Sequence, residues 1–246
     1  MGTLLPKTRL LNKTIQKGVD KPVDFEELVK TVSTITESQV ILVGRRGKLL
    51  SRTTTANSPE LIYQPKMNLI DNKLIDDEEN NSLLNIIETK TDIVIDENKI
   101  LTIVPVYGGG DRLGTLVFGQ QGSSFSEENL VLFEFAATVT GIEFLRLING
   151  RKDKKLRERE SLKLAMNVLS YSEIEALKLI FIDVKGKEAF LVASNIAKKH
   201  GLTRSVIVNA LRKLESAGIV DSRSLGMKGT HVRILNDYFL HEIQAV

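Results

Sequence analysis

The chain has 246 residues, 42% of them hydrophobic and 26% charged, with three histidines and no cysteine. That length buries one or two modest cores, and the missing cysteines exclude a disulfide framework, a thiolate nucleophile and a zinc-thiolate site. The formal net charge of +3 hides an asymmetry: residues 1–150 hold 16 Lys+Arg against 20 Asp+Glu, whereas residues 151–246 hold 18 against 11.

A mildly acidic module joined to a basic one is the pattern of a protein in which only the second part meets a polyanion. A solvated basic surface is the plain alternative. The amino terminus, Met1 to Lys7, lacks the apolar core of a secretory signal, so the chain is expected in the cytoplasm.

Taken in order, the segments Thr8 to Ile15 and Asp24 to Ile35 carry apolar residues at helical spacing, and Asp24 caps the second. Val40 to Val43 and Lys48 to Ser51 flank Gly44-Arg45-Arg46-Gly47 and read as a hairpin. Residues 53–99 are polar, with irregular apolar positions such as Leu61, Met67 and Leu83, and are expected as short helices and loops over one sheet face. A second hairpin runs from Leu101 to Tyr107 and from Leu113 to Gly119, around Gly108 to Arg112. Ser126 then caps a helix carrying Phe133, Ala137, Thr140, Phe144 and Leu147, with Phe125 placed to staple onto Leu130. Glu134, Glu143 and Arg146 interrupt its apolar tract, which argues for a buried helix over a membrane span. Gly150 is a candidate break. The charged helix formers Arg151 to Glu160 predict a linker helix, giving a first domain over 1–150, a linker over 151–165 and a third unit over 166–246.

That third unit has the pattern of a winged helix-turn-helix. Helices are expected from Ser172, over Leu191 to His200, and from a Thr203 cap through Leu214, with Lys185-Gly186-Lys187 as a turn, Gly201 as a stop and small Ala197 at the crossing. On the last helix Ile207, Leu211 and Leu214 share one face, and Ser205, Asn209, Arg212 and Ser216 the other. Arg engages guanine bidentately and Asn engages adenine, which makes that stripe suited to a major groove. Ser205 and Arg204 at the amino end of the helix suit phosphates or base edges, Ser194 and Thr203 are further candidate DNA contacts, and Lys213 on the flank either touches phosphate or is merely solvated. Strands Ile219 to Ser224 and Thr230 to Leu235 enclose a wing that offers Arg223 and Lys228. A helical hairpin with a solvated polar face is the alternative. With no triad, metal cluster or Walker spacing, a catalytic role ranks last.

The stretch Thr203 to Gly218 and its continuation Ser222 to Thr230 closely resemble the CodY family. Lys7-Thr8-Arg9, Arg45-Arg46-Gly47-Lys48, Thr102 to Pro105, Gly108 to Leu116 and Leu169 to Glu173 carry the same resemblance. It implies an α+β chain in which a GAF-type sensor domain is joined by a linker helix to a winged helix-turn-helix. It further implies a homodimeric repressor of nutrient-limitation and stationary-phase genes, bound to A/T-rich inverted repeats of double-stranded DNA and activated by isoleucine or valine and by GTP. In the family an Arg followed by Met holds the amino-acid carboxylate. Here Lys66-Met67 stands nearest, keeping the charge but losing the fork, with Ile70, Ile75, Thr91, Ile93 and Val94 as the expected wall. Lys66 as a solvated lysine is the alternative. The resemblance assigns GTP to Arg45, Arg46, Gly47 and Lys48, which alone would be a hairpin with solvated cations. A constitutive DNA-binding dimer is the competing function.

Overall fold

The computed structural model describes residues 4–15, 24–54, 62–182, 184 and 186–245. Leu61 and Lys185 lie outside them, as does the side chain of Met227. The chain divides into two compact units, residues 1–149 and 150–246.

The first unit is built on a five-stranded antiparallel sheet of order β2-β1-β5-β4-β3, formed by β1 (Gln39–Gly44), β2 (Leu49–Arg52), β3 (Lys90–Asp96), β4 (Lys99–Gly108) and β5 (Asp111–Gln121). β1 has a continuous apolar run because both its faces are covered. Val40 and Leu42 enter one core, with Val104, Val106, Leu116 and Phe118, while Ile41 and Val43 enter another, with Leu101, Ile103 and Val117. α1 (Leu4–Ile15), α2 (Phe25–Thr36) and the first half of α4 (Glu127–Asn167) supply the opposing side of the first core. There Phe118 stacks on Phe133 at 3.7 Å between centroids, and Phe125 meets Phe133 edge-on at 4.8 Å.

The two caps expected in this unit form. Asp24 Oδ1 accepts from Glu26 N and Glu27 N, both at 3.0 Å, and Ser126 Oγ accepts from Asn129 N at 3.3 Å. Both hairpins form, and only Gly47 of the first turn takes positive φ, at +73°. In the second hairpin Gly109 (φ +61°) and Gly110 (φ +87°) make a two-residue turn, tighter than the five residues expected. Residues 53–99 depart further from expectation: besides α3 (Asp77–Leu84) they contain β3, an edge strand whose side chains are exposed apart from half-buried Ile93. The segment is fastened by polar side chains that no periodicity announces. Gln39 is buried and accepts from Ile62 N and Tyr63 N while donating to Tyr63 O. Arg112 donates to Leu83 O, Ile86 O, Gly114 O and Thr115 Oγ1. One buried hydroxyl, Thr102 Oγ1, has no partner among the described residues. Removing that desolvated group with Thr102→Val is expected to raise stability by about 1 kcal/mol, read as a higher urea midpoint at unchanged m-value.

Gly150 does not break α4, which continues to Asn167. Gly141 in the same helix marks a close approach, since a Cβ there would lie 2.1 Å from Tyr107 O. In the second unit Leu162, Ala165 and Leu169 join α5 (Tyr171–Phe181), α6 (Ala193–His200), α7 (Arg204–Ser216) and α8 (Phe239–Ala245) around one core. A three-stranded sheet of order β6-β8-β7 closes it, with β6 (Glu188–Leu191), β7 (Val220–Ser224) and β8 (Thr230–Ile234). Two expectations are corrected here, and one helix is added. The cap of α5 is Ser170, in a reciprocal capping box with Glu173. Leu191 belongs to a strand and not to α6, because Ala189 and Leu191 alternate into the core while Glu188 and Phe190 face out. α8 is an additional helix, anchored by Phe239, whose ring meets Phe181 edge-on at 5.0 Å. No helix among the described residues is long and apolar enough to cross a membrane.

Candidate nucleic-acid interface

Gly201 ends α6 in the left-handed conformation (φ +67°), and its N–H returns to Ala197 O. Ala197 is buried at the helix crossing, as its size requires. Thr203 takes the extended N-cap conformation of α7 but makes no capping bond; its Oγ1 lies 2.9 Å from Ser205 Oγ. α7 then buries Ile207, Ala210, Leu211 and Leu214 and leaves Arg204, Ser205, Asn209, Arg212 and Ser216 exposed. Among the described residues the side chains of Asn209 and Arg212 engage no partner. Their hydrogen-bonding groups therefore point to water, one helical turn apart, on a helix whose opposite face is buried. Ser194 is exposed at the start of α6.

The wing turns through a single 3-10 turn, Gly226–Lys228, closed by Leu225 N donating to Gly229 O at 2.7 Å. Gly229 (φ +100°) has no room for a side chain, because a Cβ would stand 2.5 Å from Leu191 O. Lys228 and Arg223 are exposed. Arg223 Nε is 3.7 Å from Asp221 Oδ2, which Arg233 also approaches at 3.4 Å, a loose surface pairing that leaves both arginines available. Sequence reasoning missed the third wing strand and with it exposed Phe190, which lies against His231 at 4.6 Å between ring centroids and opposes it across β6 and β8.

Lys213 departs from the rest of the expected set. Its Nζ is 2.7 Å from Glu173 Oε2 and donates to Val168 O at 3.0 Å, so it is neither turned to a phosphate nor simply solvated. Burial pushes the Glu173 carboxyl up, but hydrogen bonds from Lys213 and from Ser170 N outweigh burial and hold it below the ordinary carboxylate value.

In the first unit Met67, Ile75 and Ile93 meet in the core that faces residues 62–86, together with Leu101 and Ile103. Lys66 is exposed, and its backbone N donates to Glu79 Oε2 at 2.5 Å, while the other oxygen of Glu79 accepts from the Tyr63 hydroxyl. The rest of the expected wall does not assemble. Ile70 is 96% exposed, because Asn68 Oδ1 accepts from Ile70 N and Asp71 N and makes a tight turn at a loop tip. Val94 is 68% exposed since it alternates away from Ile93, and Thr91 is exposed beside Asp92, whose φ of +55° breaks the strand register. Arg45, Arg46 and Lys48 stand exposed around the β1–β2 turn, whereas Gly47 is buried beneath Ile75 and Asn80. Asn80 Nδ2 also donates to Arg45 O at 3.3 Å, and Ile75 N to Gly47 O at 2.8 Å.

Comparison with known proteins accounts for nearly all of the chain. The CodY GAF-like domain matches residues 3–168, and the CodY helix-turn-helix domain matches residues 187–246. The global transcriptional regulator CodY of Thermoanaerobacter sp. (strain X514) is 46% identical, covering 100% of this chain and 99% of its own length. That of Clostridium perfringens (strain SM101 / Type A) is 43% identical, with both chains covered completely at 100%. Among solved structures, the cofactor-binding GAF domain of the nutrient sensor CodY from Clostridium difficile is 29% identical with a TM-score of 0.42, over 58% of this chain and 98% of that one.

Proposed function

The chain belongs to the CodY family of global transcriptional regulators, and we propose that it is a homodimeric repressor whose grip on A/T-rich inverted repeats is strengthened by small-molecule effectors. The observation that carries this reading is the exposed, unpartnered pair Asn209 and Arg212 on α7, flanked by Arg204 and by the wing cations Arg223 and Lys228. A rigid helix with base-reading side chains and cations on either side fits a major groove and its phosphates. A two-fold dimer would place two such helices on the two halves of an inverted repeat.

For the effectors, isoleucine or valine is assigned to the apolar surface of Met67, Ile75 and Ile93, with Lys66 as the cation for the carboxylate. Burying an amino acid's charges without a matching group costs more than its side chain returns. GTP is assigned to the exposed cations Arg45, Arg46 and Lys48, which suit phosphate oxygens. An effector-independent dimer is the second reading, and the solvent-facing Ile70 and Val94 favour it by leaving the expected wall open.

Fluorescence anisotropy with an A/T-rich inverted repeat and a random duplex tests the proposal. The expected outcome is preference for the repeat, affinity that falls steeply with salt, and tighter binding with millimolar isoleucine or GTP. The variant Arg45→Ala/Lys48→Ala should lose the GTP response alone. Equal affinity for both duplexes would overturn the DNA reading, and a preference indifferent to every effector would move the second reading ahead.

A further inference from the structure

The side chain that ties the DNA-reading helix to its support is a lysine that, from its place beside the polar stripe, would be taken for a phosphate contact. Lys213 lies next to Arg212 and four residues from Asn209, within one turn of both base-reading positions. Its ammonium sits 2.7 Å from Glu173 Oε2 and 3.0 Å from Val168 O. The same Glu173 oxygen accepts from Ser170 N at 2.7 Å, and Glu173 N donates to Ser170 Oγ at 3.3 Å. One cation therefore joins three segments: α7, the residues just beyond α4, and the cap of α5. The Glu173 side chain is 7% exposed, so its charge is compensated by this ammonium and by backbone donors more than by water.

From this arrangement we infer that Lys213 and Glu173 are positioning residues that fix the roll of α7 and so set the aim of Asn209 and Arg212. The inference rests on the DNA-binding reading above and goes beyond it by assigning specificity to a pair that touches no base. Two physical points support it. A lysine whose charge is matched at 2.7 Å adds little to the field that draws in a polyanion, so it releases few counterions on binding. A hydrogen bond also constrains orientation in a way that the apolar contacts of Ile207, Leu211 and Leu214 do not, because those are non-directional.

The test measures three quantities on the full chain: the ratio of affinities for the inverted repeat and a random duplex, the slope of log affinity against log salt, and the thermal midpoint. The variants are Lys213→Met, Glu173→Gln and the double variant. Glu173→Gln keeps an acceptor for Ser170 N and Lys213, which guards against simple unfolding. The expected result is a loss of discrimination of about tenfold in Lys213→Met, a smaller loss in Glu173→Gln, which keeps an acceptor but not its charge, no loss in the double variant beyond that of Lys213→Met, and a salt slope in Lys213→Met equal to wild type. A slope reduced by about one in Lys213→Met with discrimination intact would make Lys213 a phosphate contact and overturn the inference. Discrimination unchanged in every folded variant, with only the thermal midpoint lowered, would make the pair a purely stabilising one and overturn it equally. A wild-type chain that does not discriminate at all would instead fail the DNA reading itself and take this inference with it.

Discussion

Replacing Gly141 with alanine is expected to destabilise the first unit by about 2 kcal/mol or more, while the same replacement at Gly150 stabilises by about 0.5–1 kcal/mol. Both glycines lie inside α4, and alanine is the better helix former at each. The difference is what stands opposite. At Gly150 a Cβ would meet nothing within 4 Å, so only the gain in helix propensity and the reduced freedom of the unfolded chain remain. At Gly141 it would lie 2.1 Å from Tyr107 O and 3.2 Å from the carbon of the same carbonyl. A backbone carbonyl in a paired strand cannot swing aside like a side chain. α4 would have to withdraw from β4, loosening Phe133, Ala137 and Phe144 from the sheet. Chemical denaturation of the two variants decides it, and a Gly141→Ala protein as stable as wild type would show that α4 and β4 do not approach this closely.

The second large effect concerns recognition. Arg212→Ala and Asn209→Ala should each lower discrimination between the inverted repeat and single-base variants of it by about 1–3 kcal/mol, whereas Lys228→Ala should weaken binding to all duplexes alike. Arg212 and Asn209 are exposed, unpartnered and carried on a helix whose other face is buried, so removing their side chains costs the fold little. Lys228 sits on the tip of the wing with a single flexible charge, the kind that suits phosphate and carries no sequence information. Specificity changed by Lys228→Ala and untouched by Arg212→Ala would mean that the wing reads bases and the helix holds the backbone.

The legible parts of this molecule were those decided by local pattern. Asp24, Gly201 and the apolar spacing of α2 and α7 state their structure within a few residues of themselves, because capping and amphipathicity are short-range effects. β3 was illegible because nearly all its side chains lie in water and show no alternation, and β6 because its alternation spans only four residues. The apolar face proposed for the effector was harder still. Met67, Ile75 and Ile93 are brought together by Gln39 and Arg112 gripping distant carbonyls and amides, and such long-range grips leave no periodic trace. The pairing of Lys213 left no sign in the sequence because its partner Glu173 lies forty residues away.

The two rims of the five-stranded sheet bear on how the protein behaves when it is crowded. An open strand edge is a template for another chain, and repeated addition of strands is how soluble proteins turn into fibres. Here β2 is four residues long, and Lys48 beside it is already bridged to Leu74. β3 carries Lys90, Asp92 and Asp96, and the positive φ of Asp92 kinks its backbone where a visiting strand would need to run straight. An incoming copy would meet a charged, interrupted ladder on one rim and a short, partly covered one on the other. The sheet is thereby guarded against polymerising, even where many copies are crowded together.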